Sequence, residues 1–158
     1  MISNCNITIY NKYYAPYTRT EKYQRSVIYS VGWQLNKSVW QSAQALSGAK
    51  SGKLIESTAL IFIPFSSGVK WKPPLVWDSL AVRTGYWTLR DDDIIVRGIV
   101  LDEITDLIPA VIDPPAAAIP AFSMTDLRKK YDYVLTIFAV ADLEYGSPNV
   151  QHWEVGCK

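Results

Sequence analysis

Short runs of β-branched and aromatic residues, each cut off by proline, glycine or aspartate, recur along the whole of this chain. ITIYNKYY (7–14) alternates apolar and polar positions as a half-buried strand does. EKYQRSVIYSVGW (21–33) reads as a longer strand, with Gly32 expected at a bulge or bend. ALIFIPF (59–65) is too short for a helix and is expected to be a strand buried on both faces. In YWTLRDDDIIVRGIV (86–100), YWTLR and IIVRGIV are expected as two strands flanking three aspartates. YVLTIFAVAD (133–142) and VQHWEV (150–155) complete the set, and only SMTDLRKKY (123–131), capping residues followed by helix formers, reads as a helix.

Three segments break the pattern. Residues 34–57 are polar and punctuated by Gly48 and Gly52, and VWQSAQAL within them fits a short helix or a strand equally. Residues 66–85 hold Pro73–Pro74, and residues 101–122 hold four prolines, which excludes a long helix or a central strand there. About six to seven strands and one helix predict a mainly β fold. We expect a small antiparallel β-barrel or sandwich, with one β-rich domain over 1–158, a short helix near 123–131, and long loops at about 34–57, 66–85 and 101–122.

The bulk numbers narrow the function classes. A formal net charge of +1, with both signs spread along the chain, lacks the basic excess of an electrostatically driven nucleic-acid binder. The longest apolar run falls far short of the roughly 20 residues a bilayer requires, so no membrane association is expected. MISNCNITIYNKYY lacks a basic start and a long apolar run, so secretory export is not expected, and Cys5 and Cys157 are expected as free thiols.

The aspartates Asp91, Asp92 and Asp93 suit a hairpin tip, where their side chains bond nearby N–H groups and tolerate unusual φ. A calcium loop needs further oxygen ligands at set spacing, and contiguous aspartates point different ways, so no metal is expected. His152 is the only histidine, which rules out a His-rich zinc site. SGAKSGKL (47–54) misses a phosphate loop: its glycines stand one residue too close, and Leu54 replaces the magnesium-binding hydroxyl. Carboxylate pairs such as Asp102/Glu103 and Asp142/Glu144 are too common to signal a glycosidase. No catalytic residue and no cofactor is expected.

Contact surfaces are the better candidates. IPAVIDPPAAAIPAF (108–122) is apolar, almost uncharged and stiffened by proline, as partner interfaces often are. Its candidate contacts are Ile108, Ile112, Pro114, Pro115, Ile119 and Phe122; the competing reading is a loop folded back over its own barrel. Of the six tryptophans, Trp33, Trp87 and Trp153 lie in expected strands and read as core. Trp71 and Trp77 lie in the proline-containing loop and read as contact residues, or as the platform of a carbohydrate- or peptide-binding module.

Taken in order, ITIYNKYY, TRTEKYQRSVIYSVGW, LIFIPF, YWTLRDDDIIVRGIV, LRKKYDYVLTIFAVADLEYGSPN and HWEVGCK resemble the small head–tail joining proteins of tailed phages and prophages of Gram-positive bacteria, also called minor capsid or head-closure proteins. The resemblance spans about two-thirds of the chain and is weakest over 34–57 and 101–121. It implies a structural, non-enzymatic role in the virion neck, made in the host cytoplasm. A small β-barrel would assemble as a ring below the portal, retain packaged DNA and join portal or adaptor to tail proteins. Stopper, adaptor and tail terminator are not separated by it. In that setting the SGAKSGK loop would approach DNA through Lys50 and Lys53.

Overall fold

The computed structural model describes residues 3–41 and 53–158. Six strands, β1 (Cys5–Tyr14), β2 (Glu21–Gln41), β3 (Lys53–Pro64), β4 (Ile94–Arg97), β5 (Val134–Leu143) and β6 (His152–Cys157), pair antiparallel throughout. Their order, β1-β2-β3-β6-β5-β4 with β4 returning to β1, closes a barrel. Closure removes the unpaired strand edges that an open sheet of this size must protect.

Alternation on the strands supplies the barrel interior: Ile7 and Ile9 from β1, Ile61 and Ile63 from β3, Ile95 from β4, Ile137 from β5, and Trp153 and Val155 from β6. A second, smaller core lies on the outside of the wall. There Tyr10, Ile94, Val96 and Val134 are covered by Val100 and by Leu127 of helix α2 (Met124–Lys130). The strand buried on both faces is therefore β4, with Ile94, Ile95 and Val96 all inaccessible. ALIFIPF is not: Ala59, Ile61 and Ile63 are buried, but Leu60, Phe62 and Pro64 on its outer side are only half-covered. The difference is what packs outside each strand, which the strand's own residues do not specify.

β2 is the longest strand and changes partner along its length. Residues up to Val31 pair with β1, and Gly32 onward pairs with β3. The expected irregularity is present, but at Ser30 rather than Gly32. The register shifts there by one residue, Ser30 adopts φ 59°, and its N–H donates to Asn6 Oδ1 at 3.1 Å. The Asn6 carboxamide thus satisfies the donor that the bulge removes from the ladder.

Two segments expected as loops are largely ordered differently. Residues 34–41 and 53–57 continue β2 and β3, so VWQ is strand; Asn36–Gln41 and Lys53–Thr58 pair only with each other and form a hairpin running beyond the barrel. Residues 42–52, including Lys50, lie outside the described residues. The segment after β3 winds into a 3₁₀ turn (Phe65–Lys70) and a short helix α1 (Pro74–Asp78), with Pro74 at its first position where no N–H is needed. YWTLR is not a strand either: only Trp87 bridges, to Trp71, because β4 takes its partners from β1 and β5.

Helix α2 forms where expected, from a capping box. Ser123 Oγ accepts from Asp126 N at 3.2 Å, and Asp126 Oδ2 accepts from Ser123 N at 2.9 Å. Replacing Ser123 with alanine is expected to cost about 1 kcal/mol in a urea titration. A loss of a few tenths or less would show that burial of Leu127 alone holds the helix.

Candidate functional site

After β4 the chain turns at Gly98, whose φ of 97° suits glycine, and passes into residues 99–122. Buried Thr8 pins this exit, its Oγ1 donating to Gly98 O at 2.8 Å and accepting from Val100 N at 2.9 Å. Arg25 Nη1 donates to Val100 O at 3.0 Å, and Tyr10 Oη donates to Asp102 O at 2.6 Å. The Asp102 carboxylate accepts from Tyr131 Oη at 2.5 Å and from Lys130 Nζ at 2.8 Å, which holds its pKa below the ordinary aspartate value. A Lys22–Asp106 ion pair adds a tie one residue into the segment that follows.

Beyond this clamped root, residues 105–122 form a two-stranded arm. Thr105 pairs with Phe122, Ile108 with Ile119 and Val111 with Ala116, each pair exchanging both N–H···O bonds. Pairs recur every third residue, and Pro109 and Pro120, which have no N–H, stand in the gaps. Residues 105–121 are all exposed. Ile112 at the tip is 93% exposed, Leu107 61% and Ile119 56%, with Ile108 and Val111 close behind. The segment therefore does not fold back over its own barrel.

Of the expected contacts, Ile108, Ile112, Pro114, Pro115 and Ile119 stand together on this arm in solvent. Phe122 does not join them. It is half-buried against the outer core, with Lys130 Nζ 5.9 Å from its ring, and it anchors the arm.

Trp71 and Trp77 also correct the expectation. Trp77 is fully buried: its Nε1 donates to Tyr86 O at 3.1 Å, and the guanidinium groups of Arg83 and Arg90 lie 5.3 and 5.4 Å from its ring. Trp71 packs 4.9 Å from Trp153 in the barrel-end aromatic cluster. The segment shows the aliphatic side chains Val69, Leu75 and Val82 to solvent, with Leu75 86% exposed, beside polar residues such as Lys70 and Asp78. Leu75 and Trp77 share a five-residue helix, too short for a periodicity that would say which faces inward.

The aspartates divide. Asp91 and Asp92 make the corner, Asp92 with φ 71°. Asp93 turns inward and is fully buried, accepting from Asn11 Nδ2 and from Lys12 N at 2.8 Å each. Asn11 also bonds both main-chain groups of Thr88. Burial pushes the Asp93 pKa up to about 6, against the lowering effect of these donors and of Arg90. A cleft of about 460 Å³ beside the corner is lined by Lys12, Arg83 and Arg90 and by Asp78, Asp91 and Asp92, three charges of each sign. Arg90 Nη1 lies 2.9 Å from both oxygens of Asp78, so the cleft's positive and negative side chains are already paired in part with one another.

Among the described residues, no group of three His, Cys, Asp or Glu side chains stands together to hold a metal. Cys5 and Cys157 are unbridged, and burial raises the Cys157 thiol to about 12. No helix among the described residues is long and apolar enough to cross a membrane. A family of unknown function, DUF6751, matches residues 2–158. The chain belongs to DUF6751. No curated protein and no solved structure matches it.

Proposed function

We propose that this DUF6751 chain is a structural subunit of a tailed-phage neck, of the head-closure kind, acting as a ring below the portal that helps retain DNA and attach the tail. The observation that carries the reading is the exposed arm. Aliphatic side chains held in water on a clamped, proline-stiffened ribbon lower their free energy only by meeting another surface. Assembly into a closed ring buries such segments between identical copies. The order of sequence motifs supplies the neck as the setting, and in that setting Lys50 and Lys53 would approach DNA. Closure of the channel in this reading is steric. The carbohydrate- or peptide-binding alternative loses its support, because Trp71 and Trp77 are packed inward.

The test is electron microscopy of particles made with a stop codon in this gene. Heads without tails, leaking or lacking DNA, are the expected result. Tailless heads that keep their DNA would favour a role as adaptor or in tail attachment over closure. Normal, tailed, infectious particles would remove the neck reading.

A further inference from the structure

Closure of the barrel leaves a stretch of strand edge unpaired where β2 changes partner. Residues 21–31 of β2 pair with β1 alone, and β3 takes over only from Gly32. Lys12 shows which main-chain groups of β2 are used. Its N–H donates to Asp93 Oδ1 at 2.8 Å and its carbonyl accepts from Arg90 Nη2, so the main chain of Lys12 points away from β2. Antiparallel pairing alternates along a strand, so Ile7, Ile9 and Asn11 turn their groups toward Ile28, Ser26 and Gln24. The main-chain groups of Arg25, Val27 and Tyr29 therefore lie on the opposite edge of β2. Side chains meet two of them: Gln24 Nε2 donates to Arg25 O at 3.2 Å, and Ser67 Oγ donates to Tyr29 O at 3.3 Å. Between these two, the N–H and carbonyl of Val27 and the N–H of Arg25 have no partner among the described residues.

A groove of about 330 Å³ runs along this edge, with residues 25–29 on one bank and Ser67, Lys70, Gly85 and Trp87 on the other. From the edge and the groove together we infer that residues 25–29 bind an extended peptide segment of a partner protein, laid along β2 as an added strand and carrying a carboxylate side chain. Unpaired donors and acceptors on a strand edge find their partners in a second extended chain, and those main-chain bonds supply the affinity. The lining supplies the charge preference, because it holds two cations, Arg25 and Lys70, and no carboxylate. Arg25 is already engaged: its Nη1 donates to Val100 O at 3.0 Å, and its Nε lies 3.8 Å from the carboxylate of Glu103. Lys70 is in no ion pair among the described residues, its Nζ lying 5.6 Å from the centre of the Tyr86 ring. Lys70 is thus the charge that favours an acidic segment over a neutral or basic one. The site does not depend on the neck reading.

The experiment uses the isotope-labelled full chain and blocked synthetic peptides of sequence Thr-Val-X-Val-Thr, where X is glutamate, glutamine or lysine. In the chain alone, nuclear magnetic resonance should show the amides of Arg25 and Val27 exchanging with solvent about tenfold or more faster than those of Ser26 and Ile28, which β1 holds. The glutamate peptide should shift the amide resonances of residues 25–29 and slow exchange at Val27. It should bind about twofold to fivefold more tightly than the glutamine peptide, the range of an exposed ion pair, with the lysine peptide weakest. A Lys70→Glu variant, which changes one exposed side chain, should lose the preference for glutamate. A glutamate peptide N-methylated at every amide cannot lie against a strand edge and should not bind. The inference is overturned if the Val27 amide of the free chain is as protected as its neighbours, or if the N-methylated peptide binds as well as its parent. It is overturned too if the glutamate peptide leaves residues 25–29 unshifted at about 1 mM, or if Lys70→Glu keeps the preference for glutamate. Shifts at residues 25–29 that appear when the chain alone is concentrated would make a second copy the occupant, which also overturns it.

Discussion

Replacing Trp153 with alanine is expected to destabilise the chain by about 3–5 kcal/mol, a large part of the roughly 5–15 kcal/mol that separates folded from unfolded domains. Trp153 lies on β6 opposite Ile63 and Asp142, and its indole points into the end of the barrel. Three aromatic rings surround it: Phe65 at 4.4 Å, Trp71 at 4.9 Å and Trp87 at 5.7 Å between centroids. The 3₁₀ turn lies directly on it. A Cβ built on Gly68 would stand 2.6 Å from Trp153 Cη2, so the turn and the ring are fitted without spare room. Removing the indole opens a cavity that strand pairing on both sides of β6 keeps from collapsing. It also removes aromatic pairs worth about 0.5–1.5 kcal/mol each beyond their buried area. A urea titration measures the loss. A cost below about 1 kcal/mol would mean the cluster is not what closes this end of the barrel.

Replacing Asp93 with asparagine is expected to change how stability depends on pH. The carboxyl of Asp93 titrates at 3.8 in its ordinary state and at about 6 when folded, because burial disfavours its charge. Between about pH 4 and pH 6 the folded chain therefore holds a proton that the unfolded chain has released. Stability falls as pH rises through that window, by about 3 kcal/mol for a carboxyl displaced from 3.8 to about 6. The groups with lowered values act elsewhere. Glu21 is held down first by the Tyr23 hydroxyl, Asp102 by Lys130 and Asp126 by the Ser123 backbone, so what they contribute is lost only as pH falls further.

The amide introduced by Asp93→Asn would have no such titration, but it accepts at one atom only. A protonated carboxyl keeps an acceptor lone pair on each oxygen, whereas an amide nitrogen keeps none, so either Lys12 N or Asn11 Nδ2 loses its partner at a cost of about 1–3 kcal/mol. At about pH 4 the variant should be less stable than the parent by that amount. Near pH 7 the relieved charge burial should offset most of it. Denaturant titrations of both chains across this range give the answer. Parallel pH profiles would place the titration on another group.

Asp93 also shows where reading the sequence stops. Three adjacent aspartates carry identical local information, and a corner is the right expectation for Asp91 and Asp92. The third is different only because Asn11, 82 residues earlier, presents an amide to it. The same holds for Trp77. Its residue type permits a solvent platform or a core, and the choice is made by Tyr86 O, Arg83 and Arg90, which the chain brings in from later positions. For the arm, the composition of 108–122 marks an apolar strip correctly but leaves two outcomes equal. Anchoring by Thr8, Arg25 and Tyr10 at the root, with exposure beyond it, decides against the fold-back.

What the amino-acid order determined alone was local. It set the β class and all six strands, with YWTLR as one strand too many, from the period-two alternation and the punctuation between runs. It set helix α2, whose start is written in Ser123 and Asp126 three residues apart, and the apolar character of the segment that became the arm. These depend on interactions between neighbours in sequence, which are readable residue by residue. The tertiary structure alone decided the pairing of β4 with β1 and β5, the closure of the sheet, the second core outside the wall, and the exposure of the arm beyond its clamped root. Each of those is a contact between residues tens of positions apart, and which distant surfaces meet is settled by the packing of the whole chain.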